Sequence, residues 1–284
     1  MSASQRRLLA VLAHPDDESY GMGGTLARYS REGVDVHVAI ATDGAAGSID
    51  AKWQGDRTRL VETRADELRR ASTVLGVQIH MLGYRDSGYI GDPAGEDPRA
   101  WINADPNEAV GRVVKLIREL RPDVLVTNDE TGGYYHPDHI QCCTIATAAF
   151  YAAGDPYQYP DIGPEPFQPT RLYYSAFSHR WVRFLMIYMR LKGQDPTRAG
   201  RNHDIDYSRI GLPHEMITTT VDYRKYWDVK VAASAEHGSQ GGGTSFNRMF
   251  PVWMQKLLFG YESYIRVSPP LAPGKKEKGL FAGL

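Results

Sequence analysis

Two apolar runs in this chain each lead into a His-Pro-Asp tripeptide, and that coupling constrains the possible folds more than any other feature. Leu8 to Ala13 is an unbroken apolar run that stops at His14-Pro15-Asp16, with Asp17-Glu18 following. Asp123 to Thr127 (DVLVT) is the second run, and past Gly132-Gly133 the chain reaches His136-Pro137-Asp138-His139. Short apolar runs cut off in this way read as strands buried on both faces of a parallel sheet.

The segments around them carry helical and further strand patterns. Thr25 to Arg31 reads as a helix stopped by Gly33, and Val34 to Thr42 (VDVHVAIAT) as a strand rich in β-branched residues. Arg57 to Leu75 has helical spacing with Gly76 as its stop, and Val77 to Leu82 is a third strand candidate. Asn107 to Leu120 places Val110, Val113, Val114, Ile117 and Leu120 on one helical face. Ile140 to Ala152 reads as a helix and Arg171 to Phe177 as a strand. The alternation predicts an α/β, Rossmann-like domain with a mostly parallel sheet flanked by helices. Such sheets take ligands at the carboxyl ends of their strands, where both tripeptides fall.

The pattern weakens after about residue 178. Residues 1–268 are expected to form one domain, with 178–268 a C-terminal elaboration over the site and 269–284 a flexible tail rich in Pro, Gly and Lys. Trp181 to Leu191 reads as a core helix or an oligomer contact in preference to a cap on the site. Gln194 to Pro213 is loop-like, Met216 to Thr220 a strand candidate, Tyr223 to Glu236 a helix, and Gly241-Gly242-Gly243 a flexible loop.

Composition excludes some functions. With 284 residues the chain can bury one sizeable core. Its 33 basic and 34 acidic residues leave a formal net charge of -1, which argues against a nucleic-acid partner. Lys275-Lys276-Glu277-Lys278 reads as a solvated stretch. Cys142 and Cys143 are the only cysteines and are adjacent, so they read as small core residues in a reducing, cytoplasmic protein. No stretch has signal-peptide or transmembrane character. The expected partner is a small molecule, with a homo-oligomer possible.

The tripeptides carry the chemistry. A sharp turn after the first strand lets His14 and Asp17 face one point. Pro137 suits a first helical position, which sets His136 and His139 one turn apart. Two imidazoles and a carboxylate with an open position match a catalytic zinc site, and the same set also holds non-haem iron. Taking His14, Asp17 and His139 as ligands leaves Asp16 as general base. His136 is then free, as an imidazolium, to stabilise an oxyanion or protonate a leaving amine. Asp138 reads as a charge at a helix N-terminus, and Glu18 as either an orienting group or a surface residue.

Ala13-His14-Pro15-Asp16-Asp17-Glu18 together with Gly132 to His139 resembles the PIG-L/LmbE-like zinc-dependent N-deacetylases, and is closest in look to the mycothiol-pathway members. Tyr84 to Gly88 and His237-Gly238-Ser239-Gln240 add to a likeness that covers roughly residues 5–240. The resemblance implies Zn2+, with Fe2+ possible in its place, held by His14, Asp17 and His139. It implies Asp16 as base and His136 as oxyanion stabiliser or acid. It further implies Tyr134 as a mobile active-site tyrosine, with Tyr135 a near competitor, and Arg64 and Asp86 as substrate contacts. The implied reaction is removal of an N-acetyl group from an amino sugar or its conjugate. The loop Gly44 to Ser48 lacks the acidic residues those members carry, and Gly21 stands where the pathway's amidase has lysine. Alternatives are an amidase acting on a larger thiol conjugate, a non-catalytic sugar-binding protein, and a nucleotide-binding module, for which Gly21-Met22-Gly23-Gly24 is a poor phosphate loop.

Overall fold

The computed structural model describes residues 5–47, 49, 59–199, 205–242 and 251–284, without the side chains of Arg180 and Trp181. Ser48, Gly243, residues 57–58 of the predicted helix and residues 200–204 of the predicted loop lie outside them. The parallel core comes from the apolar runs: β1 (Arg7–Leu12), β2 (Asp35–Thr42), β3 (Gln78–Tyr84), β4 (Val124–Thr127) and β5 (Arg171–Ala176). Between and after them stand α1 (Asp17–Tyr20), α2 (Gly23–Arg31), α3 (Leu60–Leu75), α4 (Pro106–Leu120), α5 (Gly132–Tyr135), α6 (Pro137–Ala152) and α7 (His179–Leu191). Gly76 stops α3 in the left-handed conformation, as its position suggests.

The chain continues through β6 (Thr219–Asp222), α8 (Trp227–Glu236), α9 (Val252–Phe259), β7 (Tyr261–Ser268) and β8 (Glu277–Lys278). These late strands join the same sheet, whose order is β3-β2-β1-β4-β5-β7-β6-β8. The first five strands are mutually parallel, and β7 runs antiparallel to both β5 and β6. The α/β class and mostly parallel sheet are as expected. The strand β7 is an addition that no sequence pattern announced.

Helices α4 and α6 cover one face of the sheet, while α2, α3 and α8 pack together. One apolar cluster gathers Val113, Val114, Ile117, Ile145 and Ala149 with alternate residues of β1, and Cys142 and Cys143 are buried in it. The other gathers Leu26, Leu68, Leu75 and Ala233 with the remaining residues of β1 and β2. Every residue of β1 from Leu8 on is thereby buried, as a strand covered on both faces requires. Helix α7 buries Val182 and Leu185 and leaves Phe184, Ile187 and Leu191 exposed.

The expectation of a flexible tail over 269–284 is corrected. Leu280 and Phe281 are buried in the second cluster, and β8 pairs with β6. Arg171 donates to the carbonyls of Leu280 (2.9 Å) and Ala282 (2.7 Å), and the Tyr173 hydroxyl donates to Glu277 (2.6 Å). Two apolar side chains and a row of backbone acceptors outweigh the local Gly, Pro and Lys content.

Because β2 lies on one side of β1 and β4 on the other, the strand order reverses direction beside β1. A crevice opens at the carboxyl end of such a switch point. His14, Asp86 and Asn128 all stand just past the ends of strands that meet there.

Candidate active site

The first motif is a turn held tight by its own carboxylate. The backbone N–H groups of Ala13 (3.1 Å) and His14 (2.8 Å) both donate to Asp17 Oδ2. Within this turn Pro15 is buried and Asp16 takes φ 137°. A side chain in that region costs about 1–3 kcal/mol, so the surroundings must enforce it. Arg64 Nη2 donates to the Pro15 carbonyl (2.6 Å) and to Asp16 Oδ2 (3.0 Å). The Asp16 N–H donates to Glu18 Oε2 at 2.9 Å.

The second motif is an ordinary helix start. Pro137 takes the first position of α6, and the His136 ring caps the helix by accepting the Asp138 N–H on Nδ1 (3.2 Å). Asp138 does lie at the helix N-terminus, yet reading it as only a terminal charge misses its main contact. Its carboxylate is fully buried, with Oδ2 3.1 Å from His14 Nε2 and accepting the Ser87 N–H at 3.0 Å. Sequence reasoning missed this partner of His14. The signal present was a carboxylate one residue before a ligating histidine.

Three donor atoms converge on one point. His14 Nδ1 lies 3.2 Å from His139 Nε2 and 3.7 Å from Asp17 Oδ2, and the last two are 3.4 Å apart. Tetrahedral ligands at bond lengths of about 2.0–2.2 Å stand roughly 3.3–3.6 Å from one another, so the spacing suits a zinc-sized ion. Each imidazole has its far nitrogen engaged: His14 Nε2 with Asp138 and, at 3.5 Å, with Asp86, and His139 Nδ1 with the Asn128 amide at 3.3 Å. Among the described residues Asn128 Oδ1 is buried without a hydrogen-bond partner. Turning that amide over places Oδ1 on a protonated Nδ1 and leaves Nε2 free for a metal.

Two other groupings bring donors within 4.8 Å of one another, His14-His136-His139 and His14-Asp86-Asp138. They make poorer ligand sets. His136 Nδ1 is already taken by a backbone N–H, and Asp138 meets His14 at Nε2, the nitrogen turned away from His139. Charge supports a cation here as well. Burial works against protonating His14, but the carboxylates of Asp86, Asp138 and Asp17 outweigh it and raise its pKa well above the usual value. A cluster that draws a proton onto a buried imidazole attracts a divalent cation for the same reason.

His14 and Asp17 line a cavity of about 410 Å³ together with Asp16, Asp86, Tyr134, His136 and Gln240. Burial pushes the Asp16 carboxyl up to about 6 against the pull of Arg64. Burial, with His14 and His139 beside it, pushes His136 down to about 2. With Nδ1 accepting the Asp138 N–H, the proton of a neutral His136 sits on Nε2. This contact favours a neutral N–H donor over the imidazolium expected from sequence.

Of the two tyrosine candidates, Tyr134 lines the cavity, its ring 5.1 Å from that of His139 and 5.7 Å from that of His136. Tyr135 instead lies under the Arg209 guanidinium, 4.7 Å away. Asp86 is at the site, with Oδ1 accepting from the Gly88 N–H and Oδ2 from the Ala46 N–H. Arg64 lines the cavity too, and the two Nη atoms of its guanidinium donate to protein, at Pro15, Asp16 and the Gly44 carbonyl (2.7 Å), while its Nε has no hydrogen-bond partner among the described residues. A Cβ at Gly44 or Gly47 would come within 2.6 or 2.3 Å of that guanidinium, so the glycines of this loop are what admit it.

Comparison with known proteins adds independent support. The family described as PIG-L: GlcNAc-PI de-N-acetylase matches residues 9–150. A 1D-myo-inositol 2-acetamido-2-deoxy-alpha-D-glucopyranoside deacetylase of Thermomonospora curvata is 36% identical over 299 residues, covering 100% of this chain and 99% of its own length. The enzyme of the same name from Rhodococcus jostii is 40% identical over 256 residues, or 84% of this chain and 82% of that one. The N,N'-diacetylchitobiose deacetylase of Pyrococcus horikoshii shares the fold with a TM-score of 0.62 at 21% identity, covering 95% of this chain and 85% of that one.

Proposed function

The chain belongs to the PIG-L family, and from that premise we propose that it is a metal-dependent N-deacetylase acting on N-acetylglucosaminyl conjugates, with the inositol glycoside named for its relatives as the first substrate to try. The observation that carries this reading is the triangle of His14 Nδ1, Asp17 Oδ2 and His139 Nε2, 3.2–3.7 Å on a side, whose His14 and Asp17 line a polar cavity. Zinc is the metal we assign, because two imidazoles and a carboxylate at tetrahedral spacing suit it. Iron is the alternative that the donor set also accepts. Bound there, such an ion supplies Lewis-acid chemistry and brings a water's pKa to about 7.

The protein's own groups then divide the remaining work. Asp16, aimed into the cavity by its unusual backbone, takes the proton of the attacking water and returns it to the amine that leaves. The Nε2–H of His136 donates to the amide oxygen as negative charge grows on it. Tyr134 closes the same side, with its ring over His136 and His139. Asp138 and Asn128 fix the two ligating rings, and Asp86 faces substrate hydroxyls. Arg64 serves as a brace for Asp16 in place of the substrate contact expected from sequence. Among the described residues no helix is long and apolar enough to cross a membrane.

Two measurements test the reading. Protein purified without added metal is expected to carry about one zinc or iron per chain by elemental analysis. Acetate release is then followed on N-acetylglucosaminyl-inositol and on thiol-bearing conjugates of the deacetylated sugar. Acetate from the first substrate supports the deacetylase. Release of a larger acid from the second group alone would assign an amidase instead, and a metal-free, fully active protein would overturn the mechanism.

A further inference from the structure

Glu18 of the first motif and His237 of the His237–Gln240 segment are left unused by the mechanism, and the fold brings them together. Both are fully buried. His237 Nε2 and Glu18 Oε1 are 2.7 Å apart, and the Ser19 hydroxyl donates to the same oxygen at 2.6 Å. The other carboxylate oxygen, Oε2, accepts the backbone N–H of Asp16 at 2.9 Å. Asp16 is the one motif residue with φ at 137°. Arg64 restrains Asp16 by its side chain and by the preceding carbonyl, and Glu18 restrains it by its own N–H.

A fully buried carboxylate and imidazole carry a large desolvation cost, so their retention calls for a reason. Packing alone does not supply one, since an apolar pair would fill the space without burying charge. Surface exposure does not apply either. What the pair does, and an apolar pair would not, is present a fixed acceptor to a backbone N–H in a strained turn. His237 is itself held from behind: it follows α8, and its ring meets that of Tyr20 at 5.9 Å. Oε1 is thus pinned by two donors, which aims Oε2 at Asp16.

We propose that Glu18 and His237 act as a positioning pair that holds Asp16 in its left-handed turn and so aims the general base into the cavity. The inference rests on the reading of Asp16 as base. It extends to a segment outside the metal set, His237 to Gln240, which comes 219 residues after Glu18. Neither residue touches substrate in this arrangement, so neither is a catalytic residue.

The test uses full-length protein and three readouts: metal per chain, KM and kcat for acetate release. Glu18→Ala is expected to keep about one metal per chain and a KM within about threefold of the parent, with kcat down about a hundredfold, the lower end of what a general base contributes. Glu18→Gln keeps an amide oxygen able to accept the Asp16 N–H, and is expected to recover at least about tenfold of that loss. If Glu18→Ala does not fold, His237→Gln is read in its place, with kcat down about tenfold at unchanged metal content. A Glu18→Ala protein with kcat within threefold of the parent, a loss that follows metal content, or a Gln variant no better than Ala would each overturn the pairing. Asp16→Asn assayed alongside separates the two levels. If it keeps full turnover, the base assignment fails; if it is inactive while Glu18→Ala is not, only the positioning inference fails.

Discussion

The same tripeptide is used twice in this molecule and its aspartate does opposite work each time. In His14-Pro15-Asp16 the chain turns against its conformational preference, and Asp16 comes out facing the cavity. In His136-Pro137-Asp138 the chain enters a regular helix, and Asp138 is carried inward to complete burial against His14. The histidines differ in parallel. His14 gives Nδ1 to the ligand triangle, whereas His136 spends Nδ1 on its own helix cap. On the proposed reading, backbone conformation, more than residue type, decides which carboxylate does chemistry and which one holds a ring in place.

That contrast can be tested in steps. The largest effect is expected from His14→Ala, which removes a corner of the triangle. Metal by elemental analysis should fall to a small fraction of one per chain and turnover by about 10⁴-fold or more, since the activated water is lost with the metal. Asp16→Asn should keep its metal and lose about 10³-fold in kcat. Equal metal loss in both variants would erase the distinction between ligand and base. Asp138→Asn should lie between retention and loss, with metal affinity in a chelator competition weakened about 10–100-fold. An unchanged affinity there would return Asp138 to the role of a helix-terminal charge. The smallest effect belongs to the adjacent tyrosines: Tyr134→Phe should lower kcat by roughly tenfold, the loss of one donor, while Tyr135→Phe should leave it unchanged. A reversal of those two would put the wrong ring at the cavity.

Much of this was legible in the sequence, for a physical reason. Strands β1 and β4 are covered on both faces, so burial writes itself as unbroken apolar runs. The sequence could pair His14 with Asp17, three residues apart, and His136 with His139, one helical turn apart, whereas it is the strand order that brings the two motifs together. Strand β7 could not, because its alternation is interrupted by buried Glu262, which accepts from the N–H groups of Gly24 and Thr25 at the start of α2 and pairs with Lys230 at 2.6 Å. A charge satisfied only in three dimensions looks like a surface residue in one. Asp138 was misread for the same reason, since its partner lies 124 residues away, and the contact of Arg64 with Asp16 spans 48 residues. Tail burial was hidden similarly, as Leu280 and Phe281 sit among residues that usually mark a loose end.

The short strand β8 has a consequence away from the chemistry. It covers the outer edge of β6, while Leu280 and Phe281 fill the apolar cluster next to it. Deleting residues 277–284 would leave a row of unpaired backbone groups above a newly opened hydrophobic surface, which is a template for pairing with another chain. The catalytic crevice beside β1 is several strands away. Such a shortened protein is therefore expected to scatter light and sediment as large species while its remaining soluble fraction still releases acetate. Those eight residues would then matter for colloidal behaviour and shelf life, and for any fusion partner attached behind them, well before they mattered for turnover.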